Sequence, residues 1–478
     1  MLPMYKWMLH QPHADKEVME KQLAESGERV VMVRPSFLKD VAQPEKKIRV
    51  GVEDPAKGVE VKEIGYFISR DDVGRWVYEN LLEDPDKCQY EGKAVSISCT
   101  SSRSDTMARL LIARPGHVYL ATYDAAANSF AVDYDLAIPG CPSWLAVDKE
   151  RSLVYIVDED SSKFHRFHID PSSETPFTQQ MTVDTASPGA VYLAFSQDRQ
   201  RLLGAAFGSS TVDVWDISDG AKLERLKEKT VASDGSTGPV SHIQDAPHPH
   251  QVLLDPTGRF YVVPDLGSDE VLVIDSKDDA FAVSNRVTVM PHGSGPRHGA
   301  FYPAGASVAT HYILLCELTN TVVVYALTYT TSALEFTEIS RECTFGTQGP
   351  PIGARAGHLE LLPDNKNLYV TNRLTGKPDD SIAFMRISAE DEHPKLEFQQ
   401  DISTLGILPR MFCVLDGGRG DVMVANEKSD WGLVVMTRDA TNGRLQEVPE
   451  LRVPMSAFMN DSEIQEHPGN GPKFVTQL

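Results

Sequence analysis

The sequence predicts a mainly β protein: a seven-bladed β-propeller preceded by a small partial α/β segment. Two observations carry that expectation. A phrase of apolar strand, polar turn and second β-rich strand recurs, as in PSWLAVDKERSLVYIVDE from Pro142, HQVLLDPTGRFYVVPDLG from His250 and HLELLPDNKNLYVTNR from His358. Variants open at Arg297 (RHGAFYPAG) and Arg410 (RMFCVLDGGRGDVMVANE). Units of this size cannot bury an apolar face alone, so they must stack on one another. The second observation is a change of pattern near residue 100, where mixed helix-type and strand-type segments give way to short strands alone.

In chain order, ADKEVMEKQLAESG (14–27) reads as a helix and RVVMVRPSFL (29–38) as a strand. SRDDVGRWVYENLLED (69–84) reads as a second helix with Ser69 as N-cap, and KAVSISC (93–99) as a strand. The partial α/β segment is therefore placed over 1–100. ARLLIA, HVYLATYD and SFAVDYD, within 108–135, supply three strands of a first blade without an inner one. The later copies align on Leu145, Leu193, Val252, Gly299, Leu359 and Phe412, 47 to 60 residues apart by subtraction. That is close to the roughly 40–50 residues of a four-stranded blade. The C-terminal GPKFVTQL (471–478) matches the opening of GPRHGAF (295–301) in its first residues and its apolar alternation. It is expected to be the missing inner strand, so that the propeller spans 107–478 and is closed by residues 472–478. A disordered tail is the competing reading, because the loop-like MNDSEIQEHPGNG precedes it.

A formal net charge of -22 repels phosphate backbones, so no nucleic-acid partner is expected, and an anionic substrate would need a local cationic pocket. The six cysteines are scattered without CxxC spacing, which favours free thiols in a reducing compartment. No stretch approaches the ~18 consecutive apolar residues of a membrane span, and the N-terminus lacks the apolar run of a signal peptide. The expectation is a cytoplasmic protein with no membrane partner.

The first two strands of a blade are antiparallel, so the start of one and the end of the next lie on the same face. Two residues before each aligned anchor stand Ser143, Val191, His250, Arg297, Gly357, Arg410 and, from the closing strand, Lys473. At the second-strand ends stand Asp158, Asp265, Glu317, Arg373 and Asn426. These should converge on a central funnel rich in bases and cations. Each has a plainer reading: a surface ion pair for Arg297, a structural histidine for His250, a structural ion pair for Glu317, a turn cap for Asp265, rim charges for Arg410 and Lys473. His298 and His358, one position on, should alternate outward and pack. The histidines lack HxxxH or HExxH spacing, so no metal is expected; a calcium ion on Asp265, Glu317 and Asn426 is the lesser alternative.

Two resemblances add to this reading. SG-x-x-VVMVRPSFL, YFISRDDVGRWVYENL and GKAVSIS resemble the C-terminal half of an NmrA-like atypical short-chain dehydrogenase. The glycine-rich turn that seats a pyrophosphate is not in this stretch, so no NAD(P) and no other cofactor is expected. HPHQVLLDPTGRF, SGPRHGAF, the Glu after YILLC, and NLYVTNR resemble the seven-bladed lactonase family, which includes propeller-type 6-phosphogluconolactonases and a fungal 3-carboxy-cis,cis-muconate cyclase. The likeness spans about 107–478. By motif, it implies catalytic roles for His250, Arg297, Glu317 and Arg373; Asp265, Arg410 and Lys473, from their places around the funnel, are expected to bind substrate. PRM at 409–411 and His358 depart from the relatives' usual PRH and glutamate, which leaves room for a shifted substrate. The implied function is hydrolysis of a small anionic lactone, 6-phosphogluconolactone first, by base-assisted water attack. The alternatives are 3-carboxy-cis,cis-muconate cycloisomerisation and a non-catalytic interaction platform.

Overall fold

The structure, a computed structural model, describes residues 107–478 apart from 221, 389–392, 416–419, 447–448 and 450; before them it describes 32–35, 37–39, 48–54, 58–61, 67–82 and 94–99. The chain divides into two compact units, Met1–Met107 and Ala108–Leu478.

In the first unit, Met32–Pro35 runs parallel to Ala94–Cys99, and Ile48–Asp54 and Gly58–Val61 extend that sheet in antiparallel fashion. Among the described residues of the strand expected over 29–38 are Met32–Pro35 and Phe37–Lys39, the second pairing in parallel with Phe67–Ser69. Helix Arg70–Val77 runs on into a wider turn, Tyr78–Leu82. Val73, Trp76, Val77 and Leu81 are buried at helical spacing, which is why this stretch coils. The helix expected over 14–27 lies outside the described residues.

The second unit is a seven-bladed propeller. Six blades are consecutive four-stranded antiparallel meanders whose inner strands are Pro142–Asp148, Ala190–Phe195, Leu253–Leu254, Pro296–Tyr302, Arg355–Leu361 and Ile407–Val414; the blade of Ala190–Phe195 carries one extra short strand. The remaining blade orders Phe474–Gln477 inside Met107–Arg114, His117–Asp124 and Ser129–Ala137, with Phe474 opposite Ala113. Second strands such as Leu153–Asp158, Phe260–Asp265 and His311–Cys316 are buried along their whole length, so both faces are apolar. The outer strand Ser129–Ala137 alternates between solvent and blade. Seven apolar clusters occupy the seven blade junctions, from Leu111, Leu145 and Ile156 round to Tyr123, Met423 and Leu433.

One irregularity positions the site. Each of five inner strands slips by one residue against its neighbour, between Pro142 and Trp144, Ala190 and Tyr192, Pro296 and His298, Ala356 and Leu359, and Pro409 and Met411. The blade of Leu253–Leu254 slips likewise between the Pro249–Asp265 bridge and the Leu253–Val262 pair. A bulge adds one residue and re-aims it. Here the added residues include Ser143, Val191, Arg297 and Arg410, and all point to the axis.

Candidate active site

A cavity at the axis is lined by Ser143, Trp144, Val191, His250, Arg297, His298, Arg410, Met411 and Lys473, and holds about 250 Å³ including its open mouth. Six of the seven inner-strand starts thus converge on it. Gly357 contributes its backbone instead: its carbonyl accepts from Arg297 Nε at 2.6 Å. A Cβ at Gly357 would stand 2.5 Å from Thr371 Oγ1 and 2.9 Å from Pro409 O, so only glycine fits there.

Arg297 is the hub. Its Nη1 donates to His250 Nε2 and to Glu317 Oε2, both at 2.5 Å. Glu317 Oε2 also pairs with Arg373 Nη2 at 3.0 Å, and Oε1 lies 3.9 Å from Arg355. Arg373 Nη2 donates to Ala356 O at 2.9 Å. Glu317 and Arg373 therefore stand behind Arg297 and hold it, rather than lining the cavity. Burial and the nearby Arg373 bring Arg297 down to about 9, which leaves it a cation at neutral pH. Burial raises the Glu317 carboxyl, but Arg297, Arg373 and Arg355 outweigh it and keep the group ionised. Burial, then Arg297, Arg410 and Arg373, push His250 well below its ordinary value. A neutral ring that accepts at Nε2 carries its proton on Nδ1, and Nδ1 is buried without a partner.

On the opposite wall each cation has its own carboxylate, whereas Glu317 alone serves Arg297, Arg373 and Arg355. Arg410 Nη2 pairs with Glu159 Oε2 at 2.9 Å, and Lys473 Nζ lies 3.8 Å from Glu427 Oε2. Burial lowers Arg410, but Glu159 and Glu427 raise it further, so it stays charged. The expected cationic funnel is thus a charge-paired one, because cations withdrawn from water without counter-charges would cost several kcal/mol each. Glu159 and Glu427 escaped the sequence reading by one position. The residues opposite Pro142, Pro249, Pro296 and Pro409 are Asp158, Asp265, Cys316 and Asn426, so the places matching Glu317 belong to Glu159, Leu266 and Glu427.

Asp265, expected to bind substrate, is instead a loop clamp. Its Oδ1 accepts from the backbone N–H of His248, Gly267 and Ser268, and Oδ2 from Ser233. Asp158 does the same for Cys141 and Asp160. The outward placement expected of His298 is also corrected. The bulge at Arg297 undoes simple alternation, and His298 lines the cavity with Nδ1 2.9 Å from Nδ1 of buried His358. Trp144, stacked on Tyr192 at 3.9 Å between ring centres, completes the floor. Among the described residues no group of three or more His, Cys, Asp or Glu side chains could hold a metal ion, and no helix is long and apolar enough to cross a membrane.

Fold and site together define a propeller with a small axial cavity lined by cations, histidines and an aromatic ring. Residues 100–460 match the family model described as lactonase, 7-bladed beta-propeller, and the chain belongs to that family. A relative named "Probable 6-phosphogluconolactonase" from Arthroderma benhamiae is 33% identical over 258 residues, 53% of this chain and 63% of that protein. "Reductase pytE" of Aspergillus terreus is 46% identical over 111 residues, covering 20% of this chain and 40% of its own length. The chain thus spans less than two thirds of either relative. The structure of a Pseudomonas aeruginosa periplasmic gluconolactonase matches with TM-score 0.64 at 23% identity, over 78% of this chain and 99% of that one, a likeness of fold alone.

Proposed function

We propose that the axial cavity hydrolyses the lactone of a sugar acid, with 6-phosphogluconolactone the first candidate, as the name of the Arthroderma relative suggests. The observation that carries this is the His250–Arg297 contact: a neutral imidazole held against a cation that opens onto the cavity. When a lactone enters, its carbonyl oxygen competes for the Arg297 guanidinium, whose planar fork suits a developing oxyanion. Arg297 then leaves His250 Nε2, and the freed lone pair takes the proton of the attacking water. The ring C–O bond breaks, and the same proton returns from His250 to the departing oxygen. Glu317 and Arg373 keep Arg297 charged and aligned. Arg410 and Lys473 bind the substrate's anionic group on the opposite wall.

The test is hydrolysis of 6-phosphogluconolactone by the full chain, its Arg297→Ala variant and its His250→Gln variant. Loss of an oxyanion donor lowers kcat by about 10²–10³-fold, and loss of the base by about 10²–10⁴-fold. Turnover of 3-carboxymuconate alone would make the protein a cycloisomerase. A second reading, an interaction platform, draws on Met290, Ile352 and Leu374, exposed apolar residues in loops on the cavity's side of the ring. Absence of turnover on every lactone offered would favour it.

A further inference from the structure

His298 and His358 are two buried histidines that the mechanism above does not use. Their Nδ1 atoms lie 2.9 Å apart, so one ring donates through Nδ1–H and the other accepts there. Aromatic rings pack around both. Trp144 meets His298 edge-on at 86° and lies 6.5 Å from His358, Tyr192 meets His298 at 75°, and Phe412 meets His358 at 68°. With Nδ1 committed to His358, Nε2 is the ring nitrogen His298 has left for a ligand, and His298 lines the cavity between Arg297 and Trp144. His250 stands 5.2 Å away, ring centre to ring centre.

We propose that His298 is a further substrate-contacting residue, whose Nε2 hydrogen-bonds a hydroxyl of a polyhydroxylated lactone, and that His358 is a positioning residue acting through it. This rests on the lactone reading of the cavity and names the class of lactone taken: one bearing ring hydroxyls rather than a bare ring. An apolar box around one fixed imidazole nitrogen rejects substrates that leave that nitrogen unpaired, because an unmatched buried polar group is costly.

Two substitutions separate a substrate contact from a packing role. In His298→Asn the amide sits where Nδ1 was and keeps a partner for His358, but nothing reaches the Nε2 position. In His298→Gln the amide reaches the Nε2 position. On glucono-δ-lactone, His298→Asn is expected to raise KM about tenfold, the equivalent of one lost hydrogen bond near 1.4 kcal/mol, and His298→Gln to restore most of it. On δ-valerolactone, which has no hydroxyls, the two variants should differ little from each other, so that the Asn-to-Gln difference is confined to the hydroxylated lactone. His358→Phe should raise KM on the hydroxylated lactone, and combining it with His298→Asn should add little. Equal losses on both lactones, or activity kept by Asn and lost by Gln, would overturn the proposal. A second measurement does not need turnover: in ¹⁵N-histidine spectra, added gluconate should shift the His298 Nε2 resonance. If no lactone is hydrolysed but that resonance moves, the hydrolase reading fails and the His298 contact stands. If gluconate moves the His250 signals and leaves His298 unmoved, the His298 contact fails.

Discussion

The imidazole of His250 meets a guanidinium where a histidine usually meets a carboxylate, and two kinds of pH dependence follow. His250 and His298 are pushed well below 6.5, burial first and then Arg297, and His358 is brought to about 3 by the same causes in the same order. The unfolded chain binds protons at these sites near pH 6.5 and the folded chain does not, so unfolding takes up protons below that pH. Stability is therefore complete above 6.5 and declines as pH falls, with a denaturation midpoint in urea that drops steadily on acidification. A midpoint that held or rose between neutral and mildly acidic pH would contradict this. For catalysis, a depressed base stays unprotonated further into acid. The acid limb of kcat/KM should then lie below the 6.5 of an ordinary histidine, and in His250→Gln it should vanish along with most of the rate.

At the scale of single strands, the bulge at the start of six of the inner strands does more than interrupt a ladder. It turns consecutive residues such as Arg297 and His298 toward one cavity, where an unbroken strand would send them to opposite faces. Gly357 marks the place where a side chain would spoil this. Gly357→Ala should cost about 1–3 kcal/mol by overpacking against Thr371 and Pro409 and lower activity by shifting the carbonyl that holds Arg297 Nε. Gly220→Ala, with open space around it, is the control. Identical melting and activity in the two variants would remove the glycine from the argument. The inner-strand starts were legible in the sequence because their apolar anchors repeat and six of the seven blades carry an extra residue near the same place. The second-strand ends were not. Side chains alternate with period two, so a slip of one residue put Asp158, Asp265 and Asn426 where Glu159, Leu266 and Glu427 belong. His298 was misplaced for the related reason that a bulge leaves no mark in the apolar pattern.

Across the whole molecule, the charge of -22 and the paired cavity pull in opposite directions. An anionic lactone approaches against the general field and is attracted only within about 8 Å, the screening length at physiological salt. Raising ionic strength from low to physiological should therefore increase kcat/KM for 6-phosphogluconolactone and leave uncharged glucono-δ-lactone unchanged; a decrease for the phosphorylated substrate would mean that local cations dominate at long range. The ring itself depends on its last strand. Removing residues 472–478 forfeits the burial of Phe474 and Val475, about 1.5–3 kcal/mol each, and bares the edge of Met107–Arg114. The shortened chain should aggregate or lose its cooperative melt, and an unchanged melting curve would show that the seam is dispensable.

That seam also sets the timing of the site's birth. Phe474 pairs with Ala113 across nearly the whole propeller sequence, and the adjoining Lys473 is itself a wall of the cavity. Six blades are continuous in sequence and can form in order, while the first holds three strands until Phe474–Gln477 joins them. Five of the cavity's walls can be in place before the closing strand pairs, but the wall made by Lys473 is set only when Phe474 joins Ala113.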